Sequence, residues 1–172
     1  MSRTLTYGMV GGGPGAFIGD AHRRAIALDG SARLVAGCFS RSPEKSRAQG
    51  ETLGLDPERC YTNYQEMARA ESAREDGIDF VVVVTPNVTH YEICKAFLEA
   101  GIHVACDKPL AVDSAQGEEL ARLAREKGLL FMVTYNLHRP CHRQVRPGSD
   151  PGGGDRHRPY RYGGVSPGLA LQ

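Results

Sequence analysis

The segment Tyr7 to Gly19, YGMVGGGPGAFIG, constrains the fold more than any other stretch of this chain. Leu5 to Val10 is an apolar run with the character of a first β-strand, and it drops directly into Gly11, Gly12, Gly13 and Gly15. A helical pattern then starts near Ile18. Strand, glycine turn and helix is the arrangement that holds a dinucleotide pyrophosphate. Glycine lets the backbone turn tightly and approach the phosphates, and the helix N-terminus offers unpaired N–H groups and a partial positive charge. Gly11, Gly13 and Ala16 fit the G-x-G-x-x-G/A spacing, with Gly15, Phe17 and Ile18 beside them at the expected phosphate site. Such spacing also occurs in plain flexible loops. Its place straight after a strand, ahead of further strand–helix alternation, favours the nucleotide reading.

The alternation continues along the chain. A helix from Ile18 to Leu28 stops at Asp29-Gly30. Arg33 to Phe39 reads as a second strand, and Ser42-Pro43 opens a helix with a cap and a proline at its first position. Asn63 and Glu66 have capping-box spacing for a helix near Tyr64 to Ser72. Phe80 to Val84, four of its five residues valine, reads as a central strand. Thr85-Pro86-Asn87 breaks it, Val88 to Ala100 reads as a helix stopped by Gly101, and His103 to Cys106 as a short strand ending in the turn Asp107-Lys108-Pro109. Asp113 with Gln116 caps a helix ending at Lys127-Gly128, and Leu129 to Thr134 closes the series as a sixth strand.

This pattern implies an α/β fold, a doubly wound parallel sheet with right-handed crossovers. Ligands of such sheets bind beyond the carboxyl ends of the strands. The glycine turn, Phe39 to Ser42, Thr85 to Asn87, Asp107 to Pro109 and Tyr135-Asn136 all fall there.

Composition narrows the function classes. The 172 residues suit one domain. No apolar run of about eighteen residues and no basic-then-apolar leader is present, so neither a membrane span nor a secretion signal is expected. The five cysteines lack C-x-x-C pairing, as expected for reduced thiols of a cytoplasmic protein and not for a metal site. The net charge is +1, but the stretch from Leu137 onward carries six Arg against Asp150 and Asp155, leaving 1 − 4 = −3 on the first 136 residues. A mildly acidic body argues against nucleic acid as a partner.

Three segments in order, VGGGPGAFIG, VVVVTPNVTHYE and GIHVACDKPL, resemble the Gfo/Idh/MocA family of NAD(P)-dependent sugar and polyol oxidoreductases over about residues 5 to 136. The resemblance implies a Rossmann domain followed by a larger α/β domain that carries much of the substrate site and often the oligomer interface. By position, Gly11, Gly13 and Ala16 would hold the pyrophosphate, and Thr85, Pro86, Asn87 and His90 would line the cofactor around its ribose and nicotinamide. Lys108 matches the lysine of the family's E-K-P motif, which contacts the reacting hydroxyl or carbonyl; here Asp107 replaces the Glu. An ammonium at a strand end can stabilise the oxyanion that develops during hydride transfer. His90, in the first turn of its helix, can equally serve as a local hydrogen-bond donor, and His103, inside a strand, reads as structural.

Cofactor choice is read at the end of the second strand, where an acidic residue would bind the ribose 2′-OH of NAD and an arginine would accommodate a 2′-phosphate. Phe39-Ser40-Arg41-Ser42 has no carboxylate until Glu44, which predicts NADP over NAD with Ser40 and Arg41 at the phosphate. The alternative is that Arg41 is a solvated charge at the helix entry.

From Leu137 the text changes to a Gly/Pro/Arg-rich stretch with no helical or strand periodicity, holding five of the ten prolines and no Lys, Glu, Ile or Phe. It reads either as a natural disordered tail or as a frameshift. Back-translated with free synonymous choice and read one nucleotide further along, it can give an amphipathic helix, a turn and a strand, like the family's own continuation. The frameshift reading makes residues 1–136 the cofactor domain of an enzyme whose second domain, with the family's histidine base, is missing. Such a chain would turn over poorly and expose an apolar face, while the full-length form would be a homo-oligomer. A non-catalytic dinucleotide-binding module or redox sensor is the alternative function. Another adenosyl ligand is disfavoured by the Thr85-Pro86-Asn87 and Asp107-Lys108-Pro109 segments.

Overall fold

A computed structural model describes residues 3–28 and 30–135. The expectations for Asp29, Asn136 and the stretch from Leu137 onward lie outside the described residues. The chain runs β1 (Leu5–Gly11), α1 (Phe17–Ala27), β2 (Ala32–Cys38), α2 (Pro43–Thr52), α3 (Tyr64–Ala73), β3 (Phe80–Val84), α4 (His90–Glu99), β4 (His103–Asp107), α5 (Ser114–Glu126) and β5 (Phe131–Thr134). All neighbouring strands are parallel, in the order β2-β1-β3-β4-β5. The doubly wound α/β sheet is the expected one.

Two details depart from the sequence reading. The described sheet holds the five strand segments named from the sequence, so Phe131–Thr134 counts as the fifth and not a sixth. Between β2 and β3 the chain touches the sheet only through one isolated bridge, Gly37 to Cys60, with the Tyr61 amide donating to the Gly37 carbonyl at 2.7 Å. Asp56-Pro57 turns the backbone into a short 3₁₀ segment just before it, and Asn63 caps α3 three residues after it, so the contact stays a single bridge. The helix expected from Val88 begins at His90, because Asn87–Thr89 forms a 3₁₀ turn first. The Thr89 amide closes that turn onto the Pro86 carbonyl at 2.9 Å, and the Thr89 hydroxyl reaches the same oxygen at 2.7 Å.

β3 is buried on both faces. Val81 and Val83 belong to the core packed by α3, α4 and α5, among Met67, Ile93, Phe97 and Leu120. Val82 and Val84 join Tyr7, Met9 and Phe39 on the opposite side, where Ile18 and Ile26 of α1 pack. Full burial of a valine run is the signature of a central parallel strand. The second face thins out toward β5, where Met132, paired with Ala105, is 56% exposed.

At the amino end of the sheet, Asp79 accepts from the Thr6 amide at 2.7 Å, meets the Thr6 hydroxyl at 3.2 Å and pairs with Arg3. Partial burial would raise its pKa, but the Thr6 amide, then Arg3 and the Thr6 hydroxyl, outweigh it and hold the carboxyl below its ordinary value. A depressed folded pKa adds stability that is present above the unfolded value, near pH 4, and lost as pH falls through the folded one. Asp79→Ala is therefore expected to cost about 1.5–3 kcal/mol at pH 7 in urea unfolding, with the gap to wild type closing below about pH 4.

Candidate functional site

The carboxyl ends of β1, β2 and β3 enclose a cleft of about 530 Å³. Of the expected residues, Gly11, Ala16, Ser40, Arg41, Thr85 and Pro86 line it. Its glycine wall is built on close approach. Gly11 has φ +89°, and a Cβ there would sit 2.8 Å from the Val84 carbonyl oxygen, while one at Gly13 would sit 2.7 Å from that of Phe39. Thus Gly13 sits against the strand ends without lining the cleft, and Gly15 lies in the open.

α1 begins at this turn with Ala16 at its cap and no side chain accepting from its first amides. The N–H groups of Phe17, Ile18 and Gly19 therefore have no carbonyl of their own helix to bond, which is the condition for an anion to bind there. The Phe17 ring is 83% exposed, whereas the Ile18 side chain packs inward. The turn and the free amides fit a dinucleotide pyrophosphate.

Several residues of this site were not legible as such in the sequence. A Cβ on Gly19 would lie 2.5 Å from the Cα of Gly12, so α1 rests directly on the turn at this pair. Arg23 reaches back from α1 and donates to the Gly12 carbonyl at 3.1 Å. Thr62 and Tyr64 line the cleft because the bridge at Cys60 brings them beside the end of β2. Buried Ser46 secures that end, accepting from the Phe39 amide at 3.2 Å and donating to the Tyr61 carbonyl at 2.6 Å. Glu92 of α4 also lines the cleft. No carboxylate from the end of β2 does so: Glu44 accepts from the Ser42 hydroxyl at 2.6 Å instead. Gly19 closes the glycine segment and Glu92 follows the Thr85-Pro86-Asn87 turn, but no local pattern marks either as part of the site.

The ends of β3 and β4 carry the other expected residues. Asn87 is exposed in the 3₁₀ turn, and Lys108 is exposed with no hydrogen bond or ion pair among the described residues. Asp107 is half-buried, accepts from the Thr134 hydroxyl at 3.2 Å and lies 3.9 Å from His22 Nε2. Burial lowers the His22 pKa, and the Asp107 carboxylate opposes that shift.

His90 does not face the cleft. It is fully buried, with Nδ1 2.7 Å from the Pro109 carbonyl oxygen and Nε2 2.8 Å from that of Thr85. Burial disfavours charge on the ring, yet the Cys106 sulfur and the Pro109 and Thr85 carbonyls together push its pKa up to about 9. The structure places it beneath the two turns and not in the cleft lining. Among the described residues no cluster of His, Cys, Asp and Glu could hold a metal ion, and no helix is long and apolar enough to cross a membrane.

Comparison with known proteins agrees with this geometry. Residues 5–135 match the family described as oxidoreductase, NAD-binding Rossmann fold. The chain is 49% identical over 138 residues to the uncharacterized oxidoreductase YfiI of Bacillus subtilis strain 168, covering 80% of this chain and 35% of that protein. It is 41% identical over 66 residues to scyllo-inositol 2-dehydrogenase (NADP(+)) IolW of the same organism, covering 38% of this chain and 18% of that protein. A crystal structure of an inositol dehydrogenase homolog from Azotobacter vinelandii, complexed with NADH and myo-inositol, matches with a TM-score of 0.76 at 42% identity, covering 78% of this chain and 35% of that one. Even the longer of these matches thus span only about a third of the relative's length. A match across the whole described sheet, with the glycine turn at its carboxyl edge, settles the family: the chain belongs to the Gfo/Idh/MocA oxidoreductases and carries their NAD-binding Rossmann fold.

Proposed function

We propose that the chain, with residues 1–136 as its cofactor domain, serves an oxidoreductase that moves a hydride between a nicotinamide dinucleotide, NADP in preference to NAD, and a sugar, polyol or related hydroxy compound. The observation that carries the cofactor preference is the end of β2, where Ser40 and Arg41 line the cleft and no carboxylate from that strand end joins them. A ribose 2′-phosphate is met there by a guanidinium and a hydroxyl, both able to donate. The polyol class is supported by IolW and by the myo-inositol complex, whose names state those compounds.

The bound nicotinamide would supply the carbon that gives or takes the hydride. The chain's own groups bind and orient. The amides of Phe17, Ile18 and Gly19 receive the pyrophosphate, with Gly11, Gly13, Gly15 and Ala16 shaping the turn that lets it approach. Thr85, Pro86 and Asn87 flank the path from that turn toward Lys108. The Lys108 ammonium holds the substrate oxygen and offsets its developing charge. Asp107, tied to Thr134 and near His22, fixes the strand end that bears the lysine.

Titration of the chain with NADPH and NADH, followed by nucleotide fluorescence, tests the preference. NADPH is expected to bind at least about tenfold tighter, and Arg41→Ala to erase that margin while leaving NADH affinity unchanged. Equal affinities in the wild type, or tighter NADH, would remove the NADP assignment.

A further inference from the structure

We infer that His90 is a positioning residue, a buried imidazolium that ties the Thr85 carbonyl to the Pro109 carbonyl and so sets the separation between the Thr85–Asn87 turn and Lys108. Both ring nitrogens lie within 2.8 Å of carbonyl oxygens. Carbonyl oxygens only accept, so each nitrogen must bring a hydrogen. A neutral ring has one N–H and would turn its other lone pair onto an oxygen at contact distance. The ring has no exposed surface, so solvent does not relieve that repulsion.

The position of the ring gives the bond its consequence. His90 opens α4, and a positive charge in a first turn opposes the helix dipole. The helix alone therefore gives no reason for an imidazolium; the two carbonyls do. Among the described residues, this is the one side-chain hydrogen bond to residues 108–112, and Lys108 is the residue before Pro109. The ionisable groups around the ring are Cys106 of β4, Cys94 one turn along α4, and Asp107 beside Cys106. No carboxylate forms an ion pair with His90 among the described residues. The inference rests on the reading that the Thr85–Asn87 turn and Lys108 belong to one cofactor and substrate site.

The test is ¹⁵N NMR of uniformly ¹³C,¹⁵N-labelled full chain between pH 5 and 9, with the His90 ring signals of the wild type assigned by through-bond correlation to its backbone. Both His90 ring nitrogens are expected in the protonated range at pH 7, with a single hydrogen on each. A neutral ring at pH 7, one nitrogen protonated and one not, overturns the inference even if no variant folds. In parallel, folded His90→Ala is expected to bind NADPH about tenfold more weakly than wild type. Wild-type affinity in a folded His90→Ala protein also overturns it. If the wild type itself fails to bind NADPH, the functional reading falls, whereas the ring's protonation state still decides the clamp.

Discussion

Gly11→Ala is expected to destabilise the fold by about 2–4 kcal/mol and to weaken NADPH binding at least about tenfold. The residue ends β1 with φ +89°, a conformation that costs an alanine about 1–2 kcal/mol. Added to this is a collision that no rotamer relieves. The new Cβ would stand 2.8 Å from the Val84 carbonyl oxygen, which is backbone of the central strand. Overpacking of this kind costs about 1–3 kcal/mol. Relaxation must separate β1 from β3 at their carboxyl ends, which is where the cleft opens. Urea unfolding and NADPH titration measure the two effects. A variant with wild-type stability and affinity would show that the turn does not depend on the backbone contact between Gly11 and Val84.

Glu71→Ala is expected to cost about 3–5 kcal/mol, the penalty for leaving a buried charge without its partner. Glu71 is 1% and Arg59 7% exposed. Arg59 Nε donates to Glu71 Oε1 at 3.0 Å, a second guanidinium nitrogen pairs with Oε2, and the Tyr61 hydroxyl donates to Oε1 at 3.0 Å. Burial, then Glu71, hold the Tyr61 phenol well above its ordinary pKa, so it remains a donor throughout the working range. Removing the carboxylate strands the phenol and most of the guanidinium, with the Asp76 carboxylate at 3.4 Å and the Asp76 carbonyl at 3.3 Å as partial compensation. Replacing both charges, as Arg59→Met with Glu71→Leu, is expected to recover most of the loss, because the stranded charge leaves with its partner. Denaturant midpoints of the single and double variants decide this. If the double variant is as unstable as Glu71→Ala, the pair contributes through shape and not through charge.

The local signals in this chain agree with its tertiary structure wherever the physics is short-ranged. A valine run such as Phe80–Val84 has one economical fate, the centre of a parallel sheet. Ser42, Asn63 and Asp113 cap the helices they precede because the capping oxygen and the amide it accepts from lie two or three residues apart. The glycine turn and the Ser40-Arg41 stretch at the end of β2 were legible for the same reason, whereas the strand order β2-β1-β3-β4-β5 is set by pairing between distant segments. What the sequence did not show depends on chain segments meeting at a distance. Nothing local to Cys60 shows that it bridges to Gly37, or that it delivers Thr62 and Tyr64 to the cleft.

The sequence by itself determined the alternation of strands and helices, the edge at which a ligand binds, and the residue types collected there. Those follow from side-chain period and from backbone preferences that each residue carries with it. Only the tertiary structure decided that Gly12 and Gly19 touch, that Arg23 holds the Gly12 carbonyl, that Arg59 and Glu71 are paired in the interior, and that His90 points inward between two carbonyls. Each of these is a contact between groups brought together by packing, and its energy depends on burial and distance, which exist only once the chain has folded.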